Sequence, residues 1–222
     1  MRYIIWLLTV LVIESSAVHW KYDVKDALKQ TVDQNNRTKA SVDIKVIDYF
    51  IAKITPYARQ YPPRFNDDKE KEDIRKKLYQ LSMILDVLVR NEPDNIALLD
   101  RAAFVNNMAH NTDIKGSHQK AAHYYERSLS IDPESQKMNY LYGMFLANTE
   151  RTPHKSFIYL EKALKLGNGD ARFTLGLLYV RQGKIEKGLK MLESYEKEHP
   201  DNQHVKKIIR AVKEKRLTFK TK

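Results

Sequence analysis

Large apolar residues recur at helical spacing along most of the chain, and the pattern breaks at short polar or proline-containing segments. Between residues 41 and 60, Val42, Val46, Tyr49, Phe50, Ile54 and Tyr57 fall on one helical face. Ser41 stands where a cap is needed, and Pro56 predicts a kink or an early end. Tyr61-Pro62-Pro63-Arg64-Phe65 stops that helix, because neither proline donates a helix hydrogen bond and each disfavours a helical residue before it. Asp67-Asp68 starts a second helix to about Arg90, with Ile74, Leu78, Leu81, Ile84, Leu85 and Leu88 on its apolar face. Beyond the loop Asn91-Glu92-Pro93-Asp94-Asn95 the spacing predicts three helix pairs: 96–110 with 117–131, 136–149 with 153–166, and 170–182 with 185–198. A last helix over 202–216 is apolar through Val205, Ile208, Ile209 and Val212 and charged elsewhere, the pattern that seals the end of a stack. Asp23 to Asn36 is polar and weakly amphipathic, which fits a loose helix or a flexible lead.

Two of these pairs repeat each other. Leu141-Tyr142-Gly143-Met144-Phe145-Leu146 and Thr174-Leu175-Gly176-Leu177-Leu178-Tyr179 each carry a glycine after a large residue and another large residue three places on. Self-similarity at this period means stacked helix pairs, since one pair cannot bury its own apolar face. The residues resemble the tetratricopeptide repeat (TPR) family, whose repeat of about 34 residues has a large–small pair on its first helix, a small residue then an aromatic on its second, and a closing proline. The third pair carries Leu175, Gly176, Tyr179, Gly188, Leu192 and Pro200; the second Tyr142, Gly143, Leu146, Ser156, Tyr159 or Leu160, and Ala163; the first Ala102, Ala103, Ala121, Tyr125, Ser128 and Pro133. Small residues at those positions let paired helices approach closely.

The match has departures. The distance from Pro93 to Pro133 implies an insertion of about six residues near Asn111 to Gln119 relative to the family period. The short join around Gly167-Asn168-Gly169 looks more like the related Sel-like repeats. The resemblance implies an all-α fold, a short right-handed α-solenoid of antiparallel helix pairs with a C-terminal capping helix. Its parts are a signal peptide at 1–17, a lead segment at 18–40, a degenerate N-terminal pair at 41–92, three TPR/Sel-like repeats at 93–200, and a basic capping helix and tail at 201–222.

Composition adds a compartment. Arg2, the apolar stretch Tyr3 to Ile13 and the small residues Ser15-Ser16-Ala17 form the three-part pattern of a secretory signal, too short in its apolar part to anchor in a bilayer. A short apolar helix packed on the solenoid is the alternative. The chain has no cysteine, so an exported form has neither disulfides nor an acylated cysteine, and its stability comes from packing alone. This combination suggests a bacterial envelope protein, periplasmic or else secreted. Asn36-Arg37-Thr38 fits a glycosylation sequon, which matters only in a eukaryotic host.

The formal net charge is +11, and residues 206–222 contribute eight Lys or Arg against one Glu. Charge is therefore concentrated in the tail, through Lys206, Lys207, Arg210, Lys213, Lys215 and Arg216 among others. It offers a peripheral contact to an anionic envelope surface, or it is a solvated face. Export argues against nucleic acid as a partner.

Candidate chemistry is sparse. The seven histidines are scattered, with His118 and His123 five apart and His110 on another helix, and no cysteine or acidic partner stands at ligand spacing, so neither metal nor cofactor is expected. No nucleophile elbow, phosphate loop, zincin helix or dinucleotide turn is present, and an enzyme is not expected. In repeats of this kind the first helices line a concave groove. The residues predicted to face it are Asp100, Phe104, Asn107 and Met108, then Tyr140, Met144 and Asn148, then Phe173, Leu177 and Arg181. Such rings, amides and thioethers suit an extended peptide or a partner helix. The competing reading makes Phe104, Met144, Phe173 and Leu177 core, or a bed for an N-terminal helix. The insertion, with Asn111, Asp113, Lys115, Ser117 and His118, is either a binding edge or a tolerated loop. The expected function is an exported scaffold or adaptor that binds a protein or peptide partner. An immunity-type inhibitor of an envelope enzyme and an envelope assembly factor docking through the basic tail are the alternatives.

Overall fold

The computed structural model describes residues 18–32, 38–149 and 154–217, and the segment read as a signal peptide lies outside them. Among the described residues the chain forms nine α-helices and one β-hairpin. The helices are α1 (Ile44–Ala58), α2 (Asp68–Asn91), α3 (Ile96–Asn111), α4 (Ser117–Ile131), α5 (Gln136–Thr149), α6 (His154–Lys165), α7 (Ala171–Arg181), α8 (Ile185–Glu198) and α9 (Gln203–Lys213). α3 pairs with α4, α5 with α6 and α7 with α8, and each pair stacks on the next.

The starts of several helices follow from capping side chains. Asp67 accepts from the Glu70 N–H at 2.7 Å, satisfying one orphan donor of α2, while the Glu70 carboxylate accepts from the N–H of Asn66, the residue before the cap, at 2.7 Å. Asn95 caps α3 through the Leu98 N–H, and Asn202 caps α9 through His204 and Val205. For α1 the cap is Asp43, which accepts from the Lys45 N–H at 3.0 Å; Ser41 belongs to a strand instead. Pro56 sits inside α1, which continues only to Ala58.

Close approach of paired helices depends on glycine at matching places. A Cβ on Gly143 would lie 2.7 Å from Leu160 Cγ, and a Cβ on Gly176 would lie 2.7 Å from Leu192 Cγ. The same contact recurs in two successive pairs, which is the structural form of the sequence repeat. In the first pair the corresponding stretch is Ala102-Ala103, both fully buried.

The core runs the length of the stack. Its largest part joins the first five helices through Phe50, Ile54, Leu78, Leu85, Leu99, Met108, Tyr125 and Phe145. A second part lies between Leu160, Ala163, Leu175 and Tyr179. At the C-terminal end Val205, Ile209 and Val212 of α9 cover Val180 and Leu192, so α9 seals the stack as its sequence pattern predicts.

Two features depart from the expectations. The first is the lead segment. Val24–Ala27 forms a 3₁₀ turn, and Leu28–Val32 (β1) pairs antiparallel with Thr38–Val42 (β2), with Leu28 opposite Val42 and Gln30 opposite Ala40. The Asp43 N–H donates to the Ala27 carbonyl at 2.7 Å, and Lys29 bridges to Asp43 at 2.6 Å, closing the hairpin onto the start of α1. Ahead of it, Trp20 is pinned: its ring N–H donates to Asp73 Oδ2 at 2.6 Å, and the Lys77 ammonium lies 4.6 Å from its ring centroid.

The second departure is the insertion. The extra residues do not form a projecting loop. They lengthen α3, which has 16 residues against 14 in α5 and 11 in α7, and the turn to α4 spans only 112–116. The added turn carries Asn111 to the end of α1, where its amide donates to the Ala58 and Arg59 carbonyls at 2.9 and 3.1 Å. Ser117 is buried, and the His118 ring packs at a tilt against Phe145.

Candidate partner-binding groove

α1 runs alongside α3, tied to it by Asn111 at one end and by Arg101 near the other. The Arg101 guanidinium donates to both Asp48 oxygens, at 2.7 and 2.8 Å. That pairing, more than any other influence, pushes the Arg101 pKa above its usual value. α1 therefore extends the row of first helices α3, α5 and α7 without filling the space in front of them.

That space forms two adjoining clefts. One, of about 570 Å³, is lined by Asp48, Ile51, Arg59, Ala97, Asp100, Arg101, Phe104, Lys137, Tyr140 and Leu141. The other, of about 500 Å³, has Arg59, Gln60 and Tyr61 on one lip. Its other walls come from α5 (Tyr140, Met144, Asn148), α7 (Phe173, Thr174, Leu177) and the α8–α9 end (Tyr195, Asn202, His204, Val205), with Asp170 at the start of α7. Arg59 and Tyr140 line both clefts and mark the waist between them.

Seven of the ten residues predicted to face the groove line these clefts: Asp100, Phe104, Tyr140, Met144, Asn148, Phe173 and Leu177. Six are half-buried and Asn148 is exposed; Phe104, Tyr140, Met144, Phe173 and Leu177 pack against the core and still reach the surface in part. The remaining three do not line either cleft. Met108 is fully buried, 3.9 Å from the Thr55 hydroxyl of α1. Asn107 is buried and donates to the Tyr125 hydroxyl at 3.3 Å. Both are core residues: Met108 lies under α1, and Asn107 faces α4. Arg181 is half-buried and donates to the Ala147 carbonyl at 3.1 Å, and burial lowers its pKa. It ties α7 to α5.

The charged groups lining the clefts are mostly engaged. Asp100 accepts from the Ser128 hydroxyl at 2.8 Å and lies 3.6 Å from Lys137. Asp170 accepts from the Tyr195 hydroxyl at 3.1 Å. Burial first, then the Asp170 charge, pushes the Tyr195 phenol up to about 12. Tyr140 is also raised, by burial and then by Asp170, while Arg59 acts in the opposite sense. Among the described residues no three His, Asp or Glu side chains converge as a metal site.

Arg59, Ile51 and Tyr61 escape a reading based on the repeats alone, since they lie outside them. Arg59 and Tyr61 lie just ahead of Pro62-Pro63, and that proline stop is the available signal.

The basic tail is placed on α9 and just beyond it. Lys207, Arg210, Lys213, Lys215 and Arg216 are exposed and Lys206 is half-buried. Lys213 pairs with Glu193 at 2.7 Å and Arg216 with Glu214. No helix among the described residues is long and apolar enough to cross a membrane.

Successive antiparallel pairs, glycine-mediated close approach, a sealing last helix and an open row of first helices define a TPR-like helical repeat protein, an all-α solenoid carrying one small hairpin. Among solved structures, the chain is similar to a thermophilic TPR protein from Thermus thermophilus, with 12% identity and a TM-score of 0.52 over 75% of this chain and 88% of that one. No family model and no curated protein matches the sequence.

Proposed function

We propose that this protein is an exported, non-enzymatic scaffold that holds a peptide segment of a partner protein in the paired clefts. The observation that carries this reading is the half-exposed set Phe104, Tyr140, Met144, Phe173 and Leu177, contributed by three successive first helices and facing one continuous space. Rings and a thioether supply apolar contact, and Asn148 supplies an amide for the peptide backbone. Each cleft is large enough for a few side chains and too small for a folded domain, so the partner contributes an extended segment. α1 is fixed at both ends, so binding needs little rearrangement.

The test is a pull-down from envelope extract with the mature protein, comparing wild type with Phe104→Ala/Tyr140→Ala. Loss of the captured partner supports the groove; equal retention removes it. A tight one-to-one complex with a single toxic enzyme would make the scaffold an inhibitor. Export is tested by sequencing the N-terminus of the protein from its native host. Cleavage after Ala17 is expected, and a retained Met1 counts against it.

A second contact is proposed for α9. Lys206, Lys207, Arg210 and Lys215 carry no ion pair among the described residues and lie along one short stretch. Such a stretch suits an anionic envelope surface. Replacing Lys206, Lys207 and Arg210 by Gln should reduce binding to vesicles containing anionic lipid, most clearly at low salt. Unchanged binding would refute that contact.

A further inference from the structure

The lining of the two clefts leaves one cation without a carboxylate, and its position constrains what can bind. Asp48 is bound by both arms of Arg101. Asp100 is held by Ser128 and faces Lys137, and Asp170 is held by Tyr195. Arg59 differs. Its main-chain carbonyl is fixed by Asn111 at 3.1 Å, but its guanidinium makes no hydrogen bond or ion pair with any described residue. Its side chain is exposed. It lines both clefts, at the waist between them.

We infer that the partner is an extended peptide that lays an internal Asp or Glu side chain on Arg59, with large apolar residues on either side of that acid. This rests on the groove reading above and names what the groove selects. A planar guanidinium on a fixed backbone base takes a carboxylate through two parallel hydrogen bonds. The acid is internal because apolar walls continue in both directions: Ile51, Phe104 and Leu141 on one side, Met144, Phe173 and Leu177 on the other. A chain ending at Arg59 would leave one cleft empty, and a chain passing over it fills both. Nucleic acid does not fit, since a single free cation flanked by Asp48, Asp100 and Asp170 neutralises too few phosphates.

The experiment uses a displayed library of random dodecapeptides panned on the whole protein, followed by fluorescence anisotropy with the enriched peptide acetylated and amidated at its ends. The expected peptides carry Asp or Glu between large apolar residues. Arg59→Gln, or Glu→Gln in the peptide, should each weaken binding by about tenfold or more, and the two together little more than either alone. Arg59→Lys, which keeps the charge and loses the fork, should fall between. Because Arg59 is exposed, its variants should unfold at the wild-type temperature. Enriched peptides lacking an acid, or binding indifferent to Arg59→Gln but abolished by Phe104→Ala or Phe173→Ala, would overturn the inference and leave the groove standing. Affinity that requires a free C-terminal carboxylate and vanishes on amidation would also overturn it. Failure to enrich any peptide, or binding insensitive to Phe104→Ala and Phe173→Ala, would remove both readings.

Discussion

Gly143→Ala puts the packing of the stack to a direct test. In an exposed helix interior this change stabilises by about 1 kcal/mol, because alanine is the better helix former and restricts the unfolded chain. Here the new Cβ would lie 2.7 Å from Leu160 Cγ, 3.0 Å from Leu160 Cδ2 and 3.1 Å from the Leu160 backbone nitrogen. Ordinary carbon contacts sit at about 3.5–4.0 Å, so the closest pair overlaps by roughly 1 Å. The clashing atom is a branch point on a fully buried side chain, so relief requires α5 and α6 to separate. Overpacking of this kind costs about 1–3 kcal/mol, which exceeds the propensity gain through most of its range. The expected net loss is about 1 kcal/mol, seen as a fall of roughly 2–4 °C in Tm for a chain of this size.

Leu160→Ala supplies the second half of the test. Alone it should cost about 2–5 kcal/mol by opening a cavity. In that background the two closest atoms are gone, and Gly143→Ala should become stabilising by up to about 1 kcal/mol, a sign reversal that denaturant titration of the four proteins would show. If Gly143→Ala instead raises Tm in the otherwise wild-type protein, the helices part at no cost and the reasoning from close approach is wrong.

Two further outcomes follow from the same structure. Asn111→Ala strips the Ala58 and Arg59 carbonyls of a donor and should cost about 1–3 kcal/mol, with amide exchange accelerating in α1 more than in α5–α8; unchanged exchange in α1 would show that Asn111 does not hold it. Tyr124, Tyr125, Tyr140, Tyr159 and Tyr195 all have phenol pKa values raised above the ordinary 10.0 by burial. The unfolded chain therefore ionises first: the stability from these groups is fully present below about pH 10 and is lost as pH rises towards the raised values. Urea midpoints should fall steeply above about pH 10, and a flat profile would contradict the burial of these rings.

Local pattern carries most of the architecture. The paired glycines, the apolar faces and the proline and Asn stops are short-range signals, and the structure keeps them, from Gly143 against Leu160 to Val205 and Ile209 sealing the end. The hairpin is hidden because Leu28–Val32 and Thr38–Val42 have little apolar alternation, and their pairing depends on a contact between Ala27 and Asp43 across the intervening segment. The insertion is illegible for a related reason. Repeat spacing counts residues but does not say whether extra ones form a loop or another helical turn, and the turn wins here because Asn111 then reaches the carbonyls at the end of α1.

The groove is partly legible for the same physical cause. Positions facing inward follow from helix periodicity, and Phe104, Tyr140, Met144, Phe173 and Leu177 stand at the cleft walls. Periodicity cannot tell which inward positions a neighbouring helix covers. Met108 therefore falls to the core beneath α1 and Asn107 to the core against α4, while Arg59, at the end of α1 itself, lines both clefts.

The central claim is that the open row of first helices is where a partner sits. Site-specific photo-crosslinking in the native host addresses it most directly, with a benzophenone amino acid placed at Met144 or Asn148 in the groove, or at Met83 or Ile158 on exposed faces of α2 and α6. A crosslinked partner is expected from the two groove positions and none from the outer two. Crosslinks from Met83 or Ile158 with silence at Met144 and Asn148 would contradict the account.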